Sequence, residues 1–294
     1  MFDGFIPFRI TTDEAEIVGV TGGSGPPLLL LHGYPQTHVM WHKVAPALAE
    51  YFTVVAADLR GYGGSSKPPT DAAHAPYSKR AMASDMAQVM TELGHSSFFL
   101  CGHDRGGRVA HRLAADHGNR ISKLAVLDIA PTREMYRNTD EAFARAYWHW
   151  FWLTLPAPLP ETMIGANPDA FLTYKCGHGS AGLAPFTDLA WQAYLNAMRS
   201  PETVHAMCED YRAAATIDIA HDDEDNGRKL NMPVLALWGA NGVIERCFDC
   251  LALWRLRASD VRGRSLPGGH YLAEERPDDV ISELISFFLE DPPT

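Results

Sequence analysis

The sequence predicts an α/β protein: a mostly parallel central sheet flanked by helices, with a helical segment inserted into it. Three features carry this expectation. Short runs of apolar residues, each followed by turn chemistry, recur through the first half of the chain. Helix-patterned stretches separate them, as parallel strands require. The alternation stops between residues 132 and 225 and then resumes.

The elements follow in order. "PPLLLLHG" (26–33), "FTVVAADL" (52–59), "SFFLCGHD" (97–104) and "KLAVLDIA" (123–130) read as strands buried on both faces. Residues 79–93 and 106–117 carry helical patterns between them. From Thr132 to Asp225 the chain is aromatic-rich and helical in character, with the loop "LPAPLP" at 155–160. "MPVLALWG" (232–239) restores the strand pattern, and a last strand near Val261–Leu266 precedes "PGGHY" and a final helix near 278–289. The expected organisation is a core of residues 1–131 and 226–294, with a helical cap of residues 132–225. The acidic stretch "HDDEDNGRK" (221–229) reads as a solvated return loop rather than a metal site.

Composition bounds the function. The 294 residues carry a net charge of −11, which disfavours nucleic acid and anionic membranes as partners. A small anionic substrate stays open, because local arginines can override the global field. "MFDGFIPFRITTDEAE" has neither a basic n-region nor a long apolar core, so no secretory signal is expected. The apolar run ending at Leu31 is too short to span a bilayer. Five scattered cysteines fit reduced thiols and a cytoplasmic location better than a disulfide framework. Cys247 and Cys250 have C-x-x-C spacing but no second pair nearby, so no metal is expected.

Gly102-His103-Asp104-Arg105-Gly106-Gly107 has the form G-x-nucleophile-x-G between a strand and a helix. A residue on such a sharp turn needs small neighbours, and the next backbone N–H, here of Arg105, points at the reacting centre. The usual serine is an aspartate here. A carboxylate can attack an sp³ carbon, displace a leaving group and form an alkyl ester. A base must then activate water, and His270 of "PGGHY" stands after the last strand, where this architecture carries its base. "LAVLD" ends in Asp128, whereas "GANG" after the next strand offers no acid, so Asp128 is assigned to orient His270. Its alternative role is a helix cap. "LHGYP" (31–35) offers the second oxyanion N–H at Tyr34, and Pro35 fixes that loop.

These residues, in this order, resemble the α/β-hydrolase fold over the whole chain. "GHDRGGR", "HGYPQTHVMWHKVAP", "DLRGYG", "YWHW" and "CEDYRAAATID" resemble the fluoroacetate (haloacetate) dehalogenase family within it. Epoxide hydrolases and haloalkane dehalogenases with an elbow aspartate typically carry tryptophan where this chain has Arg105. The resemblance implies that Asp104 attacks the carbon bearing the halogen and that Arg105 and Arg108 hold the substrate carboxylate. It also implies that His149, Trp150 and Tyr211 donate to the departing halide, and that the protein is a homodimer needing neither metal nor organic cofactor.

The physical logic runs in parallel. An anionic nucleophile repels an anionic substrate, so fixed cations are needed near the turn. A guanidinium fork suits a carboxylate, and positions 105 and 108 can share a helix face. Fluoride's compact charge needs dense solvation, which imidazole, indole and phenol donors can replace. Tyr147, Trp148 and Trp152 are expected to be packing.

Two departures from the family stand out. The stretch 172–186 lacks the tryptophan that lines the family's pocket, with His178 the nearest bulky polar residue, which leaves fluorine against chlorine preference open. Tyr34 stands in place of a family phenylalanine and adds a hydroxyl near the oxyanion site. The expected activity is hydrolysis of haloacetates to glycolate and halide. The alternatives are an epoxide hydrolase using the same Asp104 and His270, with Tyr147 and Tyr211 as acids, and a non-catalytic small-molecule receptor.

Overall fold

The computed structural model describes residues 1–178, 181–225 and 227–290. Eight strands form one sheet in the order β1-β2-β4-β3-β5-β6-β7-β8. These are β1 (Ile6–Thr11), β2 (Glu16–Gly22), β3 (Pro27–Leu31), β4 (Thr53–Ala57), β5 (Phe98–His103), β6 (Ile121–Leu127), β7 (Val234–Gly239) and β8 (Val261–Leu266). β1 and β2 form an antiparallel hairpin, β2 also meets β4 antiparallel, and the remaining pairs are parallel.

The five strands expected from apolar runs are all present, with ends moved by a few residues, and the last expected strand forms at Val261–Leu266. The β1–β2 hairpin is an addition. Its first strand is largely exposed and alternates rather than running apolar, so no continuous run announced it. By contrast, Leu28–Leu31 of β3 have no exposed surface. Helices Lys79–Glu92, Asp104–Asp116 and Pro277–Leu289 flank the sheet.

Every described element between β6 and β7 is a helix. Their starts follow capping chemistry: Asp140 accepts from the Phe143 N–H, Thr187 from Ala190, and Ser200 from Thr203 with Pro201 behind it. The acidic stretch at 221–229 is a solvated loop only in its second part, where residues 227–229 are exposed and non-helical. His221–Glu224 belong to the helix Ile217–Glu224, and Asp223 and Asp225 pair with arginines 133, 137, 112 and 228. Residue 226 of that stretch lies outside the described residues. Three of those four arginines, 112, 133 and 137, are distant in sequence, so the local pattern does not show the pairing.

Strand β3 has β4 on one side and β5 on the other, so the chain's direction of travel across the sheet reverses there. A crevice forms at the carboxyl ends of parallel strands at such a point. Tyr34, Asp104 and Asp128 follow the ends of β3, β5 and β6, and His270 follows β8. Among the described residues, no helix is long and apolar enough to cross a membrane.

Candidate active site

Asp104 opens the helix Asp104–Asp116 directly after β5, with φ of +45°. That left-handed conformation is strained for a non-glycine residue and holds only where its surroundings enforce it. The enforcement comes from close packing. A Cβ on Gly102 would lie 2.4 Å from the Gly106 carbonyl oxygen, and one on Gly33 would lie 2.5 Å from the Asp104 Cβ. The turn therefore tolerates glycine alone at those two places. The Tyr34 N–H donates to Asp104 Oδ2 at 2.9 Å, and the Tyr34–Pro35 bond is cis. One carboxylate oxygen is thus held by the loop after β3, and Oδ1 is left to act.

The Asp104 side chain is buried. Burial pushes its carboxyl up, but His270, Arg108, His103 and Arg105 outweigh that and hold it below the ordinary carboxylate range. It is an anion at neutral pH.

His270 Nδ1 lies 2.6 Å from Asp128 Oδ2, and the Gly239 N–H donates to Asp128 Oδ1 at 2.9 Å. Asp128 is fully buried, with φ of +50°. It is not a helix cap; the next helix is preceded by Pro131. Burial raises the Asp128 carboxyl above its usual value, with the bonds to His270 and Gly239 opposing. An acceptor on Nδ1 fixes the imidazole proton there and leaves Nε2 bare to take a proton.

The two arginines differ from the expected pair of free forks. Arg105 uses Nε and Nη2 on Asp210, at 2.9 Å to Oδ2 and 2.6 Å to Oδ1, and Nη2 also reaches the Asp210 carbonyl at 2.9 Å. Arg108 Nη1 donates to the Ala130 carbonyl at 3.1 Å and to Thr132 Oγ1 at 3.0 Å. Each guanidinium keeps one buried nitrogen without a protein hydrogen-bond partner: Nη1 of Arg105 and Nε of Arg108. The remaining Arg108 nitrogen, Nη2, reaches only the Met135 sulfur at 3.4 Å. The sequence could not show that Asp210 occupies the fork.

His149, Trp150 and Tyr211 are buried, and His149 Nδ1, Trp150 Nε1 and the Tyr211 hydroxyl have no partner. The rings of Tyr34, His149 and Tyr211 form one cluster, with centroids 5.2–5.9 Å apart. The Arg105 guanidinium sits 4.2 Å over the Tyr211 ring, and that of Arg108 sits 4.5 Å over Trp150. Unpaired buried polar atoms are rare in proteins and cost free energy. Five of them stand on residues that the sequence singled out: 105, 108, 149, 150 and 211. The Tyr34 hydroxyl is a sixth. Burial, with Lys175 among the nearby charges, holds His149 well below the usual histidine range, so its ring is neutral.

Three residues contribute more than their sequence suggested. Asp210 joins Arg105, Lys79 and the Tyr62 hydroxyl in one buried network. Its signal was only an acid beside Tyr211. His103 Nε2 lies 2.7 Å from the His270 carbonyl oxygen, and the two rings are 4.7 Å apart. Tyr147, expected as packing, brings its hydroxyl 3.4 Å from His270 Nδ1. Trp148 and Trp152 do pack, against each other and Phe171. His178 is exposed and lies tilted against Tyr174 with ring centres 4.0 Å apart, and residues 179 and 180 lie outside the described residues.

A cavity of about 440 Å³ opens between the helical insertion and the sheet, and His149, Lys175, Arg246 and His270 are on its wall. Asp104 is not on that wall and lies deeper. All five cysteines are unpaired. Among the described residues, no cluster of three or more histidine, cysteine or acidic side chains could hold a metal ion.

Comparison with known proteins places this geometry. Residues 26–277 match the family model for the alpha/beta hydrolase fold. A fluoroacetate dehalogenase of Burkholderia sp is 47% identical over 99% of this chain and 96% of its own. A soluble epoxide hydrolase of Corynebacterium sp. (strain C12) is 32% identical over 95% of this chain and 98% of its own. The crystal structure of ALR0039 from Nostoc sp PCC 7120, assigned to the alpha/beta hydrolases, superposes with a TM-score of 0.97 at 54% identity, covering 99% of this chain and all of that one. The chain belongs to the alpha/beta hydrolase fold family, as a haloacetate dehalogenase-like member.

Proposed function

We propose that the protein hydrolyses haloacetates to glycolate and halide through an ester on Asp104. The observation that carries this reading is the pair of unpaired buried nitrogens, Arg105 Nη1 and Arg108 Nε, whose charges both act on the Asp104 carboxylate. Fixed cations beside an anionic nucleophile have a purpose when the substrate is itself an anion. A neutral epoxide gives them none, although the free Tyr211 hydroxyl and Tyr147 beside His270 would suit an epoxide oxygen.

In the first step the substrate carboxylate meets one nitrogen of each arginine. Asp104 Oδ1 attacks the carbon, and the halide leaves with the electron pair of the carbon–halogen bond. His149, Trp150 and Tyr211 donate to it in a site closed to bulk water. In the second step His270 Nε2 takes a proton from water, and the hydroxide attacks Cγ of Asp104. Asp104 Oδ2 becomes the oxyanion and is met by the Tyr34 N–H already bonded to it, with the Arg105 N–H at the helix start as its second donor. Asp128 stabilises the imidazolium at Nδ1. Collapse expels the alkoxide of glycolate, carrying the former Oδ1, which takes the proton from the His270 imidazolium; the water oxygen stays on Asp104, and the second water proton is released to solvent. The chain's own residues and water balance the reaction without metal or cofactor.

The described helices between residues 132 and 225 act as the cap over this site, and residues 1–131 and 227–290 form the core. We further propose a cytoplasmic homodimer, to be checked by light scattering of purified protein. The test of the activity is halide release from fluoroacetate and chloroacetate side by side, with a simple epoxide as comparison. Release from either haloacetate supports the reading; epoxide opening with no halide release would replace it.

A further inference from the structure

The wall of the cavity above the site has an unusual charge pattern. Lys175 comes from the helix Pro168–Gly177 of the insertion and Arg246 from the helix Val243–Cys247 beyond β7. Neither has an ion pair or hydrogen bond among the described residues. Lys175 makes one polar contact of another kind, its ammonium 5.8 Å from the centre of the Tyr34 ring. Arg145 shares the wall, but its Nε is committed to Glu141 at 2.7 Å. Among the described residues, no aspartate or glutamate lines the cavity.

Most arginines elsewhere among the described residues are paired with a carboxylate, although the exposed Arg255 is not. Arg133, Arg137, Arg199, Arg262 and Arg264 on the outer surface each hold a carboxylate. Acids are abundant, since the net charge is −11. A chain of that net charge repels an anion overall. The unpaired cations therefore stand where an anion must enter, and His149 and His270 stand on the same wall.

We propose that this vestibule is an anion-collecting site, in which Lys175 and Arg246 draw in a small monocarboxylate before it passes down to Arg105 and Arg108. The inference rests on the haloacetate reading and adds a site to it. It selects charged haloacids over neutral haloalkanes before any chemistry occurs. Low-dielectric walls concentrate the field there, so the effect belongs in substrate capture and not in the reaction of bound substrate.

The test uses the whole protein with Lys175→Gln, Arg246→Gln and the double variant, and chloroacetate as the probe. The double variant is expected to raise KM by about three- to tenfold with kcat within about twofold. Wild-type kcat/KM should fall as a non-halide salt is added, and the double variant should respond less. Arg246→Lys should restore the single-variant loss, because only charge is required. Wild-type KM and wild-type salt dependence in the double variant would overturn the proposal, as would a loss confined to kcat. Absence of halide release by the wild-type protein would overturn the haloacetate reading and this site with it.

Discussion

Asp210, on the helical insertion, grips Arg105 behind the nucleophile through both carboxylate oxygens, with Nε donating at 2.9 Å and Nη2 at 2.6 Å. Lys79 and the Tyr62 hydroxyl share the same carboxylate. The grip leaves Arg105 Nη1 without a partner and ties the insertion to the core. Burial alone would raise the Asp210 carboxyl, yet Arg105 and Lys79 hold it far below the usual range.

Asp210→Asn should therefore damage folding and binding together. It leaves two buried cations short of their counter-charge, a loss of about 3–5 kcal/mol. KM for chloroacetate should rise by about tenfold or more as Arg105 Nη1 loses its aim. Urea unfolding and steady-state kinetics read the two effects. A variant as stable as wild type with unchanged KM would contradict the assignment.

His103 links the nucleophile's turn to the loop of the base. Burial, then the neighbouring His270, pushes its imidazole down to about 3, so the ring is neutral. Its Nε2–H donates to the His270 carbonyl. His103→Phe should slow ester hydrolysis about tenfold more than ester formation, because Asp104 keeps its own support from Tyr34. His103→Gln can supply an amide donor and should recover much of the loss. Rapid quench with mass spectrometry gives the fraction of esterified enzyme at steady state, which should rise in His103→Phe and return toward wild type in His103→Gln.

Trp150→Phe removes one unpaired donor while keeping an aromatic ring over Arg108. Fluoride depends more on such donors than chloride does, since its charge is more compact. Fluoride release should fall by about a hundredfold and chloride release by about tenfold or less. Equal losses for both halides would assign Trp150 to packing.

Glu274 reports on the packing beneath the base loop. Its carboxyl is buried, accepts from the Gln36 amide, and is pushed by burial up to about 8 from 4.5. The folded state thus favours the protonated form. That contribution to stability is whole below pH 4.5 and is lost as pH rises toward 8, because the unfolded chain ionises freely. Glu274→Gln should unfold at nearly the wild-type temperature near pH 5 and at a higher temperature than wild type above pH 8. Parallel melting curves for the two proteins across that range would refute the assignment.

The sheet and the elbow were legible because both rest on local rules. Buried parallel strands such as Leu28–Leu31 are continuous apolar runs, and a nucleophile turn needs glycine at 102, to clear its own backbone at Gly106, and at 106, to clear the His32 carbonyl. The β1–β2 hairpin was not legible, because an exposed edge strand has no such run. The clamp was half legible. Arginines at 105 and 108 pointed to an anion, but the carboxylate that occupies one fork comes from Asp210, 105 residues away in sequence. His103 and Tyr147 were hidden for the same reason: their partner, His270, is brought to them only by the crossing from β6 to β8. The unpaired donors on 149, 150 and 211 needed coordinates, since pairing is a property of neighbours and not of residue type.

The most direct test of the central claim is the intact mass of His270→Asn after incubation with chloroacetate, with Asp104→Asn treated in parallel. The account predicts that His270→Asn gains one carboxymethyl group, located by peptide mapping on Asp104, releases one equivalent of chloride and then stalls. Asp104→Asn gains nothing. Full turnover by His270→Asn would contradict the account, as would a carboxymethyl group found on any residue but Asp104.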